Sequence, residues 1–130
     1  MPHAIPLKRI TLHLARSRQH PDGSARHGYE FIAPLRPDGR LDAEVWKDSR
    51  AACRVRRFWE GEPEETGHLV HRPGGAGGAT WAFDYDPAGT ADDEAGYRFG
   101  DHPIQVGEYL SVRDEDGELH TFRIASVRPV

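Results

Sequence analysis

A chain of 130 residues is the length of one domain, residues 1–130, and buries roughly two-thirds of its unfolded surface on folding, enough for a single core. Apolar residues make up 37% and charged residues 29%, which excludes the composition of a disordered chain, and five Phe, four Tyr and three Trp bring large apolar area per position. The formal net charge is −4, and a single cysteine, Cys53, excludes an internal disulfide framework and a Cys-rich zinc site.

Such cysteine usage fits a reducing compartment. Met1 to Arg9 holds no apolar run of signal-peptide length, and no stretch approaches the roughly eighteen apolar residues of a membrane helix, so the expectation is a soluble cytoplasmic protein away from membranes. The charge is unevenly placed. Residues 1–60 carry twelve Lys or Arg against seven acids, and residues 61–130 carry five against fourteen. This asymmetry marks either a basic nucleic-acid surface or two halves that interleave in one sheet and neutralise each other; the second is the expectation.

In chain order, Ile10 to Leu14 alternates apolar and polar residues, the period of a strand with one buried face. Residues 17–26, with Pro21, Asp22 and Gly23, read as a polar loop. A second strand covers 29–35, which Pro34, with no N–H to give to a ladder, should end or push to an edge. Arg36-Pro37-Asp38-Gly39 is a turn, with Pro setting φ and Gly accepting positive φ. A short helix over 43–50 follows, capped by Asp42 and flanked by Leu41 and Trp46 at hydrophobic-staple spacing.

From Cys53 to Trp59 the apolar parity changes between Val55 and Phe58, which predicts a bulge near Arg56 and Arg57. Residues 61–65 form an acidic turn, 66–72 a strand, and 73–78 a glycine-rich connector. Trp81, Phe83 and Tyr85 then share one face of a strand. Residues 87–96 read as a mobile loop, 97–99 as a short strand and 100–103 as a turn. Strands over 108–114 and 118–127 form a hairpin around Asp116-Gly117. The fold class is therefore all-β and mainly antiparallel: a small barrel or sandwich of seven to eight short strands with one short helix. The segment Ile104 to Val112, with Gly117 and Phe122 to Val127, resembles strand pairs of small Greek-key barrels such as the second domains of translation elongation factors. That resemblance implies a barrel and carries no activity.

Eight histidines are present, and His13, His68, His71 and His120 are the candidates for a metal site. His68 and His71 are three apart, a helical spacing, yet on a strand they point to opposite faces. Cys53 with a histidine is the minimal nucleophilic pair, but its apolar setting reads as core. Asp84 and Asp86 lie on one face of a strand, as on any solvated face. Glycines 74–78 lack the Gly-Lys-Ser/Thr ending and the following helix of a phosphate loop, and read as a hairpin connector. Arg54, Arg56 and Arg57 beside Phe58 and Trp59 combine cations with aromatics, the ingredients of a single-stranded nucleic-acid platform, with Trp59 as its ring. The leading expectation is a non-catalytic binding module with a protein partner and no cofactor. The alternatives are a nucleic-acid or ribosome-associated barrel using Arg54, Arg56, Arg57 and Trp59, and then a metal-dependent enzyme using the histidines.

Overall fold

A computed structural model describes residues 6–75, 78–85, 94–97, 99–114 and 117–130. The described residues form eight strands: β1 (Leu7–Leu14), β2 (Ser24–Pro34), β3 (Arg54–Trp59), β4 (Glu65–Gly75), β5 (Gly78–Asp84), β6 (Glu94–Tyr97), β7 (Tyr109–Arg113) and β8 (Leu119–Pro129). Each pairs antiparallel with the next, and β8 returns to pair with β1, so the sheet closes into a barrel. The all-β expectation holds, as a barrel and not a sandwich. Closure removes both sheet edges, which is what lets short strands persist without a covering layer.

The barrel that the resemblance implies is present, with every consecutive pair of strands as neighbours. That order corrects one expectation: the two halves of the chain do not interleave. They form two sides of the wall, meeting where β3 pairs with β4 and where β8 pairs with β1.

Eight strands enclose an interior about wide enough for side chains to fill. Tyr29, Phe31, Phe83, Phe99 and Phe122 fill it, all fully buried. Phe83 stands at the centre, with ring centroids 5.0 Å from Tyr29, 5.2 Å from Phe31 and 5.8 Å from Phe99. Trp81 and Phe83 are core, and Tyr85, partly buried, packs against the core cluster, as their shared face predicts.

One end of the barrel is plugged. Helix α1 (Ala43–Ser49) starts at Asp42, whose carboxylate accepts the amide N–H groups of Glu44 and Val45, each at 3.0 Å. These bonds satisfy two of the free donors at the helix start and hold the Asp42 carboxyl below its usual range. The helix buries Trp46, whose Nε1–H donates to the Leu69 carbonyl at 2.9 Å. The preceding turn forms as its residues require: the Gly39 N–H donates to the Arg36 carbonyl at 2.8 Å, with Gly39 at φ +87°.

Other boundaries differ from expectation. Strand β2 begins at Ser24, five residues earlier than the aromatic alternation, because Ser24 and Gly28 pair with Leu14 and His13 across a register shift. No bulge interrupts β3, whose register with β2 and β4 runs without a shift. The glycine connector is a hairpin, with Gly75 opposite Gly78. The expected loop over 87–96 ends sooner, since 94–97 is β6, and residues 86–93 lie outside the described residues. Phe99 belongs to a 3-10 turn, not a strand.

Candidate functional site

Alternation along a strand gives each wall residue an inner or an outer position. On β1, Leu12 and Leu14 are buried and His13 lies between them on the outside. On β8, Phe122 and Ile124 are buried and Arg123 is outside. One level of the outer wall therefore carries a continuous row. Phe58 of β3 pairs with Gly28 of β2, Gly28 with His13 of β1, His13 with Arg123 of β8, and Arg123 with Tyr109 of β7.

Gly28 is what lets this row close up. A Cβ there would stand 1.8 Å from the Leu12 carbonyl oxygen and 3.1 Å from the Phe58 ring. With no side chain at Gly28, Phe58 reaches over it to His13, ring centroids 6.3 Å apart and edge to face. The Arg56 guanidinium lies over the Phe58 ring at 4.9 Å. At the other end of the row Tyr109 is 58% exposed.

A groove of about 390 Å³ runs along the His13, Arg123 and Tyr109 end. Its far bank is the β1–β2 connection, with Arg16 and Asp22. Backbone hydrogen bonds hold this bank. The Ala15 N–H donates to the Thr121 carbonyl at 3.0 Å, and the Gly23 N–H to the His20 carbonyl at 2.9 Å. Gly23 sits at φ +75°, a conformation that L side chains rarely adopt.

The groove is electropositive. Arg16 and Arg123 have no ion pair among the described residues, whereas Arg26, Arg56 and Arg57 are matched to Glu60, Glu64 and Glu62. Burial, with the Arg123 charge adding to it, holds His13 below the ordinary imidazole range, so its ring is neutral at pH 7 and offers one donor and one acceptor. Strands β1, β2 and β3 contain six Lys or Arg and one acid, Glu30, and β8 from the acidic half adds Arg123 and Arg128 and no acid. The basic first half of the chain has become a basic side of the barrel, which β8 extends.

The residues singled out from sequence are dispersed. Arg54 and Arg56 face outward, while Arg57 and Trp59 face inward at the end opposite the helix. There the Arg57 side chain is only 14% exposed and its guanidinium covers Trp59 at 4.7 Å. Trp59 also meets His27 at 4.7 Å and His120 at 5.9 Å between ring centroids, so this end is packed with its own side chains. His27 is 6% exposed, accepts or donates at 2.7 Å to Ser24 Oγ, and is held below the ordinary imidazole range chiefly by burial.

The histidine candidates separate as well. His13 is on the outer wall. His68 pairs with Arg54 and Asp84 beside a second, smaller groove of about 170 Å³. The His71 ring packs tilted against Trp81, 4.4 Å between centroids, near the plugged end, and His120 lies at the opposite end. His120 does meet two acids: ligand atoms of Asp114, Glu118 and His120 lie within 4.8 Å of one another. Hairpin geometry accounts for that cluster, since Asp114 accepts from the Glu118 N–H at 2.9 Å and stands 2.8 Å from His120 Nε2. Cys53 is fully buried and burial pushes its thiol up to about 11, which keeps it protonated at neutral pH. Asp86 lies outside the described residues.

Sequence reasoning missed His13, Arg16, Arg123 and Tyr109 as one group because they come from three segments far apart in the chain. The only local signal was an arginine or tyrosine in the outward phase of an alternating strand. No described helix is long and apolar enough to cross a membrane. A membrane barrel turns an apolar band outward, whereas this wall turns out Arg9, Thr11, His13, Glu30, Arg56 and Arg123. The chain matches no family model, no curated protein and no solved structure.

Proposed function

We propose that this barrel is a non-catalytic binding module that takes an anionic ligand on its outer wall. The observation that carries this reading is the groove of about 390 Å³ lined by Arg16 and Arg123, neither of which has an ion pair among the described residues. Guanidinium groups are fork-shaped donors suited to phosphate or carboxylate oxygens, and two without protein acceptors leave those donors to a ligand. Binding inside the barrel has less support, because aromatic rings occupy the described interior. An apolar protein-docking patch also has less support. The exposed large apolar residues among those described are Val106, Tyr109, Leu119 and Val130, and of these only Tyr109 lines the groove.

Titration with tripolyphosphate, followed by amide chemical shifts, tests the reading. Shifts are expected at residues 13–16, 22–25, 109 and 123, and they should vanish in the Arg16→Ala/Arg123→Ala double variant. Shifts that are absent, or unchanged in that variant, would remove the site.

A further inference from the structure

We infer that the ligand of this wall is single-stranded nucleic acid, laid across the strands from Tyr109 to the Arg56–Phe58 pair with its phosphates on Arg123 and Arg16. This rests on the anion site proposed above and goes further by assigning a polymer with rings as well as charges. The order of chemistry along the row matches such a ligand. An exposed phenol ring stands at one end, a guanidinium follows it on β8, a neutral imidazole comes next on β1, and a guanidinium stacked on a phenyl ring stands on β3. Non-specific single-strand sites have this composition, in which cations track the backbone and aromatic faces or arginine planes take successive bases.

Strand spacing sets the scale. Four inter-strand steps of about 4.8 Å separate β7 from β3, a span of roughly 19 Å. That is room for a short segment, near the low end of the roughly 4–16 nucleotides that barrel folds of another type engage. The two ring platforms differ in availability. Tyr109 is open to solvent, whereas Phe58 is covered by Arg56, so at that end the base meets the guanidinium plane, which Glu64 holds at 2.7 Å. His13 lies midway, where a neutral ring can accept from or donate to a base edge without adding charge. Asp22 is the one acid among the described residues that line the groove. A duplex fits this chemistry poorly, because its bases are already stacked and show the wall only phosphates.

The net charge of −4 works against polyanion capture, so binding is expected to be modest and to weaken with salt. The test is fluorescence anisotropy with a labelled oligothymidylate, run beside a duplex of equal length and the tripolyphosphate titration. With two phosphate contacts, log affinity should fall against log salt with a slope of about −1.4, and Arg123→Ala should reduce that slope by about 0.7. Tyr109→Ala should weaken binding about tenfold at an unchanged slope, and Tyr109→Phe should restore it. Tyr109 is exposed, so the variant should melt with the wild type and leave no doubt about folding. Duplex binding as tight as the single strand, or a Tyr109→Ala variant that binds as wild type, overturns the assignment. If tripolyphosphate binds in the groove and oligothymidylate does not, the nucleic-acid assignment falls while the anion site stands. If neither binds, both fall.

Discussion

The inner and outer faces of the wall strands obey different rules, although their residues alternate one by one. The buried inward positions on β1, β2, β5 and β8 are apolar, His27 on β2 excepted, and mutually packed, so each is defined by neighbours on several strands. Outward positions on the same strands carry Arg9, His13, Arg123 and the notch at Gly28, and are defined by what they leave open. Strand β3 runs against the simple rule, with Arg57 inside against Trp59 and Phe58 outside against His13. Face, more than residue type, decides whether a side chain builds the barrel or stays available to a ligand.

The largest effect belongs to Phe83→Ala, at the centre of the ring cluster. It should cost about 3–5 kcal/mol in chemical denaturation, since the four-ring contact leaves a cavity that the closed wall cannot collapse. A loss under about 1 kcal/mol would mean that the interior is not held by close packing. Gly28→Ala should come next, at about 3 kcal/mol, because the new methyl group meets the Leu12 backbone and not a movable side chain. Unfolding at the wild-type midpoint would show that β1 and β2 approach less closely at this level.

Stability also depends on pH, because His27 inside and His13 outside are both held below the ordinary value near 6.5. The folded state therefore binds fewer protons than the unfolded chain in this window. Their contribution is complete above the ordinary value and is lost as pH falls from there toward each folded value. Stability should decline between about pH 7 and pH 5, and a His13→Gln/His27→Gln variant should show a flatter profile. A profile as steep in that variant as in the wild type would place the titration elsewhere. The smallest effect belongs to the outer rim: Tyr109→Ala should leave stability within about 0.5 kcal/mol, as for exposed positions without structural partners. A larger loss would make Tyr109 part of the scaffold and weaken its assignment to a ligand.

Local rules were legible wherever neighbours in sequence settle the matter. The alternation at Ile10 to Leu14, the Asp42 cap, the Gly39 turn and the hairpin after Arg113 all depend on a few adjacent residues, and each appears in place. The platform read as an alternative over Arg54 to Trp59 was half legible. Its cations and rings are present, yet the strand's period of two sends Arg54 and Arg56 to one side and Arg57 and Trp59 to the other. The parity change read as a bulge has another cause: Arg57 can sit inside because Trp59 and Glu62 satisfy its charge, and Phe58 can sit outside because Gly28 makes room.

By itself, then, the order of residues determined an all-β chain of short alternating strands, one capped helix and tight turns, because periodicity, caps and positive-φ glycines act over a few positions. Long-range packing alone sets the closure of β8 on β1, which pairs Leu12 with Ile124 and His13 with Arg123 across most of the chain's length. That pairing turns an uneven charge distribution into a basic wall and brings His13, Arg16, Tyr109 and Arg123 to one groove. Pairing between distant strands depends on the register and twist of every strand in between, a property of the closed barrel that no local pattern encodes.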